Sequence, residues 1–310
     1  MDHSGLFEMR RTSALVRIEE ALEEALTTDS QPGEIARPAR LRDAMAYAVL
    51  GGGKRIRPLL VLESAALFDA PFDFALHSGI AFELLHGYSL IHDDLPAMDD
   101  DDTRRGRPSL HRAFDEATAI LAGDALQTLA FDILSRETTH PDPVIRAALV
   151  QCLAKASGIG GMAGGQMLDL EAEGRFERST PRKLSLEEIT RLQRMKTGAL
   201  LAACCEAGAI LGKASARETE SLRNYGRTIG LAFQIADDLL DAEGDTASVG
   251  KAVGKDAEKG KGTFVSLLGL DGAKRELGKL VMEAKDSLSA FGERGRWLRV
   301  IAQYIAERKS

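Results

Sequence analysis

Apolar positions recur along this chain with the spacing of helices. Between residues 9 and 27, Leu15, Ile18, Leu22 and Ala25 fall on one stripe, with Glu19, Glu20, Glu23 and Glu24 largely off it. That is the pattern of a helix with one face packed inward. The same spacing predicts helices over 41–50, 58–67, 74–95, 115–136, 142–156, 162–172, 185–211, 215–241 and 273–306. Gly51-Gly52-Gly53 stops the second of these, Pro58 sits in the first turn of the third, and Pro96 interrupts the fourth, because proline lacks an N–H and clashes with the preceding turn. Ser185 and Glu188 make an S-x-x-E capping box ahead of 185–211. No segment of real length alternates with period two. The predicted fold is therefore all-α, one large bundle with residues 1–310 as a single domain, since no Pro- or Ser-rich linker divides it. Glycine concentrates at 158–165 and 244–262. Close helix packing and loops near a ligand both remain open for the first cluster, and a phosphate lid and a plain connection for the second.

Composition narrows the function. Aromatics are 5% of 310 residues and hydrophobic residues 44%, which favours helices over a sandwich or barrel. The net charge of −7 disfavours a nucleic-acid binder that relies on a basic surface. The three cysteines, Cys152, Cys204 and Cys205, are odd in number, and two are adjacent. They suit a reducing, cytoplasmic compartment better than a disulfide framework. The first twenty residues carry charge at once and show no apolar signal region, and no uninterrupted apolar run approaches the ~18–20 residues of a membrane span.

The most informative stretch is HDDLPAMDDDDTRRGRP at 92–108, in which six of the ten residues 93–102 are acidic. Asp93 and Asp94 end a long apolar helix, where the helix dipole disfavours carboxylates by roughly 0.3–1 kcal/mol each. A hard cation would reverse that cost, and an all-oxygen donor set suits Mg²⁺, with Mn²⁺ the alternative. EF-hand spacing is absent. A second motif, FQIADDLLD at 233–241, places Asp237 and Asp241 on one helical face at i, i+4, with Gln234 one turn earlier. Two such motifs ending apolar helices read as two walls of one cavity around a polyanion. Basic residues fit that reading. Lys54, Arg55 and Arg57 follow three glycines that let backbone N–H groups approach an anion, although this is no Walker A loop, since Arg55 stands where Ser or Thr is needed. Lys196 lies inside the otherwise helical segment RMKTGALLAACC.

With GGGKRIRP, DDLPAMD followed by RRG, GGQMLDL at 164–170, KTG at 196–198 and FQIADDLLD in order, the chain resembles the trans-isoprenyl diphosphate synthases, in particular the bacterial short-chain farnesyl diphosphate synthases, from about residue 40 to 305. The resemblance implies antiparallel helices around a deep central cavity, a homodimer, and about three Mg²⁺ ions. Asp93, Asp94 and Asp99 match the first metal-binding motif, and Asp237 and Asp241, with Asp238, the second. Arg104 matches the arginine on the allylic diphosphate, and Lys54, Arg57, His86 and Arg105 the isopentenyl diphosphate site. Lys196, Thr197, Gln234 and Lys251 match residues around the allylic diphosphate and the developing cation. Asp169 matches an acid behind them, and Lys261 is kept in the segment after the second motif. The implied substrates are isopentenyl diphosphate with dimethylallyl and geranyl diphosphate, and no dedicated base is needed, so neither His86 nor His92 is read as one.

Chain length should be set just ahead of Asp93. Tyr88 lies five residues back, about 7.5 Å along a helix, and Ser89 four. In the family a bulky residue there blocks elongation, so Tyr88 is expected to stop products at C15. Geranyl and geranylgeranyl diphosphate synthases are alternatives. A class I terpene cyclase would leave Lys54, Arg57 and His86 without a second diphosphate. An HD-type phosphohydrolase would leave KTG and DDLLD unexplained, and a non-catalytic subunit would be expected to lose one aspartate motif. The tail GKGTFVSLLG departs from the K-x-T-Y-P of many relatives, with Phe264 and Val265 in place of Tyr-Pro.

Overall fold

In the computed structural model, described for residues 3–176, 184–243 and 263–307, almost every predicted helix is present within a few residues of its expected ends. The order is α1 (His3–Ala25), α2 (Ala39–Val49), α3 (Ile56–Ala66), α4 (Phe72–Asp93), a two-residue hairpin β1 (Thr103–Arg104) and β2 (Arg107–Pro108), then α5 (Leu110–Ala113), α6 (Glu116–Ser135), α7 (Pro143–Ser157), α8 (Met162–Ala172), α9 (Leu186–Gln193), a π-helical turn Arg194–Gly198, α10 (Ala199–Leu211), α11 (Ala216–Glu243), α12 (Phe264–Ser287), a 3-10 turn Ser289–Gly295, and α13 (Arg296–Glu307). Among the described residues, the fold is all-α apart from that hairpin.

The chain forms two compact units, Met1–Leu62 with Pro71–Val150, and Glu63–Ala70 with Gln151–Ser310. In the first, α4 is the buried axis, with Ile80, Phe82, Leu84 and Leu85 hidden, and it packs against α1, α2 and α6. The predicted α1 stripe buries Ile18 and Leu22 completely. α6 is long and apolar enough, by length and composition alone, to cross a membrane, although Asp124 and Asp132 interrupt its apolar run. Its Ala119, Ala122, Leu126, Ala130 and Leu134 are buried, while Ile120 and Leu121 are exposed.

In the second unit α11 is the axis, flanked by α10 and α12. Tyr225 is fully buried there, and its hydroxyl donates to the Leu298 carbonyl at 2.6 Å, which satisfies the one polar atom of that ring. Ser185 and Glu188 form the predicted capping box at α9, and Thr263 with Ser266 forms another at α12. The predicted helix 273–306 is corrected. It begins at Phe264 and breaks twice, at Gly269 (φ +69°) and at Gly292 (φ +52°) in the 3-10 turn, where only glycine adopts the left-handed backbone without cost. The three cysteines are buried, and burial pushes the Cys205 thiol up to about 12 and that of Cys152 higher still.

Candidate active site

The glycine loop after α2 turns through positive φ at Gly52 and Gly53 and delivers three basic side chains to different fates. Arg55 goes inward. Its guanidinium meets Glu83 Oε1 at 2.9 Å, both carboxylate oxygens of Glu19 at 2.7 and 3.0 Å, and the Val49 carbonyl at 2.8 Å. It is therefore neutralised and structural. Lys54 and Arg57 stay half-buried at the surface. The hairpin closes on the same loop. Arg105 Nη1 donates to the Gly52 carbonyl, and its guanidinium covers Gly53, where a Cβ would lie 2.9 Å from Nη2. Arg107 stacks on Tyr47 at 3.9 Å, and the Tyr47 hydroxyl donates to the Pro108 carbonyl at 2.9 Å. A cavity of about 40 Å³ opens here, bounded in part by Gly51, Gly87, Asp94, Arg104 and Arg105. Burial and then the charges of Arg57, Arg105, Arg104 and Arg55 hold His86 well below the usual imidazole range, so its ring is neutral and can share a proton with an anion.

The first aspartate motif folds back on the end of α4. Asp99 N–H donates to the Asp93 carbonyl at 2.8 Å and Asp101 N–H to the Asp94 carbonyl at 3.2 Å, which explains how a five-residue gap returns Asp99 to Asp93. Asp94 is buried and grips Arg104 through Nε at 3.0 and 3.1 Å and through Nη2. That ion pair outweighs burial and raises the Arg104 pKa further. Among the described residues, the carboxylates that converge within 4.8 Å with a histidine are instead Asp100 and Asp102, with His111. His111 escaped the sequence reading, because nothing in its neighbourhood marks it before the loop is folded. Upstream, Ser89 Oγ donates to the His86 carbonyl at 2.8 Å, and Tyr88 is half-buried beside His92. The all-oxygen donor sets at Asp93, Asp94 and Asp99 in the first unit, and at the i, i+4 pair Asp237 and Asp241 in the second, are each chemically suited to hard divalent cations.

In the second unit Lys196 and Thr197 lie on the π-helical turn, a bulge that recurs at functional sites because it breaks the regular ladder. Two glycines accommodate it. A Cβ on Gly165 would lie 2.2 Å from the Lys196 nitrogen, and one on Gly230 would lie 2.7 Å from the Gly198 Cα. Lys196 Nζ is held by Asp169 Oδ2 at 2.6 Å. Thr197 Oγ1 donates to Gln234 Oε1 at 3.3 Å, Gln234 Nε2 donates to Asp238 Oδ1 at 3.2 Å, and Asp238 Oδ2 accepts the Phe264 N–H at 2.9 Å. Asp238 is thus buried into the frame, while Asp237 and Asp241 remain half-buried. Gln166 is a residue the sequence reading quoted without a role. Its amide is buried, and neither polar atom has a hydrogen-bond partner among the described residues. Lys251 and Lys261, with the loop around them, lie outside the described residues, as does most of the charged stretch 174–184.

A family model described as polyprenyl synthetase matches residues 38–291. A farnesyl diphosphate synthase of Haemophilus influenzae is 46% identical over 274 residues, 88% of this chain and 90% of that one. A chloroplastic geranylgeranyl pyrophosphate synthase of Arabidopsis thaliana is 41% identical over 276 residues, covering 88% and 75%. An apo crystal structure of an FPP/GFPP synthase from Zymomonas mobilis superposes with a TM-score of 0.84 at 48% identity, over 97% of this chain and 98% of its own. With the GGGKRIRP loop, both aspartate motifs and the Lys196–Thr197 turn inside or beside these matches, this chain belongs to the polyprenyl synthetase family.

Proposed function

We propose that the protein condenses isopentenyl diphosphate with dimethylallyl and then geranyl diphosphate to give farnesyl diphosphate. The observation that carries this reading is the separation of two basic sets in the first unit. Arg57 and Arg105 crowd His86 with positive charge, Arg105 reaching back to the Gly52 carbonyl, while Arg104 pairs with Asp94 in the aspartate motif. A second diphosphate site is what a condensing enzyme needs and a cyclase does not. Asp93, Asp94 and Asp99 in the first unit would hold Mg²⁺, and so would Asp237 and Asp241 in the second. When bound, these ions supply positive charge that stabilises the departing diphosphate.

The chain's own residues do the rest. Arg104, fixed by Asp94, offers its remaining N–H groups to the leaving group as the allylic C–O bond breaks. Lys196, aimed by Asp169, would add charge against a diphosphate, the role that the resemblance also implies for Lys251. The Thr197 hydroxyl and Gln234 amide oxygen present partial negative charge to the allylic cation without attacking it as a strong nucleophile would. The isopentenyl double bond then attacks C1, and a proton leaves to the released pyrophosphate, so no side-chain base is consumed. We further propose that Tyr88 forms the floor that ends growth at C15, with Ser89 leaving room for one extension beyond C10. A geranylgeranyl product is the second reading, favoured by the identity to the Arabidopsis relative. A homodimer fits the exposed Ile120 and Leu121 on α6, and a reducing cytoplasm fits the three buried cysteines.

The test is incubation with radiolabelled isopentenyl diphosphate and dimethylallyl diphosphate, with and without Mg²⁺, followed by separation of products by length. A Mg²⁺-dependent C15 alcohol after phosphatase treatment is expected. Absence of any prenyl product would overturn the enzymatic reading, and a dominant C20 would move it to the second.

A further inference from the structure

His92 stands one residue ahead of the first aspartate motif, yet its side chain is turned onto α6. Its Nε2 lies 3.1 Å from the Ile120 carbonyl oxygen. A carbonyl can only accept, so Nε2 carries the hydrogen. Asp124 Oδ1 is 4.0 Å from the same nitrogen. The ring fits there because residue 123 is glycine. A Cβ at Gly123 would lie 2.2 Å from Nε2 and 2.5 Å from Cδ2, closer than any real contact. Glycine inside a helix costs about 1 kcal/mol relative to alanine, and mid-helix glycine calls for a packing reason. Here the reason is the imidazole.

One turn back on α4, at the i−4 position, is Tyr88. The two rings meet edge to face, with centroids 5.1 Å apart and planes at 84°. In a helix, Tyr88 has two accessible χ1 wells, and an aromatic edge contact worth 0.5–1.5 kcal/mol selects between them. A histidine free to move would give Tyr88 no fixed partner. One pinned by the Ile120 carbonyl and the Gly123 notch does.

We propose that His92, seated in the Gly123 notch of α6, is a specificity-determining positioning residue that fixes the Tyr88 ring and thereby the length at which product growth stops. This rests on the reading of Tyr88 as the floor and adds that the floor is held from α6 through His92. His92 touches neither substrate nor metal in this role. Loss of the wedge leaves the catalytic groups in place and loosens only the stop.

The experiment compares product lengths for wild type, Tyr88→Ala, His92→Ala, His92→Phe and Gly123→Ala, supplied with isopentenyl and dimethylallyl diphosphate. His92→Ala and Gly123→Ala should each raise the C20:C15 ratio roughly two- to tenfold, the population change that an edge contact of this size controls. His92→Phe, which keeps the ring edge, should stay closer to wild type than His92→Ala. A second readout does not depend on turnover. In protein labelled with 3-fluorotyrosine, the ¹⁹F resonance of Tyr88, assigned with Tyr88→Phe, should move in His92→Ala and Gly123→Ala, while those of Tyr47, Tyr225 and Tyr304 hold. If Tyr88→Ala lengthens products but both His92→Ala and Gly123→Ala keep the wild-type ratio and the wild-type Tyr88 resonance, the inference is overturned with the floor intact. If Tyr88→Ala itself changes nothing, it is the floor that fails.

Discussion

Arg55 shows how far a residue's type can mislead about its task. In the sequence it is one of three cations after three glycines, and only the fold separates it from Lys54 and Arg57 by burying it against Glu83 and Glu19. Removing one partner of a buried pair costs about 3–5 kcal/mol, and Glu19 remains to share the load. Glu83→Gln is therefore expected to lower stability by roughly 3 kcal/mol in urea unfolding. A change under about 0.5 kcal/mol would show that Glu19 alone suffices. His86 gives a pH signature. The fold holds its pKa well below the ordinary value, which is about 6.5 in the unfolded chain. As pH falls through 6.5 the unfolded chain takes up a proton that the native protein refuses, so stability drops. Melting temperatures of the ligand-free protein between pH 8 and pH 5 should fall less steeply in His86→Gln than in wild type. The aspartates were legible because carboxylates ending apolar helices are costly without a cation. Glu83, His111 and the inward turn of Asp94 were not, because each depends on a partner far away in sequence.

At the level of elements, periodicity located the helices but could not distinguish one helical ladder from another. The run 185–211 reads as a single helix, and the structure inserts the π turn that displays Lys196 and Thr197. The signal was indirect: Gly165 and Gly230 are the places where neighbouring helices come too close to that turn for a side chain. Gly165→Ala should push the turn outward and reduce kcat by about a hundredfold, the cost of misplacing a catalytic group by about 1 Å, with far-UV circular dichroism unchanged. An unaltered kcat would mean that the turn's position is unimportant. Within the second aspartate motif the fold divides labour. Asp238→Ala should speed hydrogen exchange at the start of α12, because the Phe264 N–H loses its acceptor. Asp237→Ala should weaken Mg²⁺ dependence and leave that exchange alone. Equal effects from both substitutions would contradict the division.

For the molecule as a whole, the order of motifs along the chain is enough to point to the family, because five spaced signatures constrain more than any one. What order alone cannot convey is how surfaces are used. α6 carries exposed Ile120 and Leu121 beside its buried stripe, and solvent contact with large apolar side chains is a reason for association. Leu121→Glu is expected to shift the protein toward a 33.4 kDa species in sedimentation velocity. Wild type already sedimenting at that mass would remove the dimer from the proposal.

The buried thiols have a practical consequence for spectroscopy. Cys152, Cys204 and Cys205 are hidden, and burial raises the pKa of at least two of them, so few thiolates are present near pH 7 to meet a maleimide or a methanethiosulfonate. A new surface cysteine can therefore be tagged without first stripping the native ones. Val144 in the first unit is 72% exposed and Met282 in the second is 64% exposed. Spin labels at Val144→Cys and Met282→Cys would report the separation of the two units, and its change on adding pyrophosphate and Mg²⁺, in an otherwise unaltered protein.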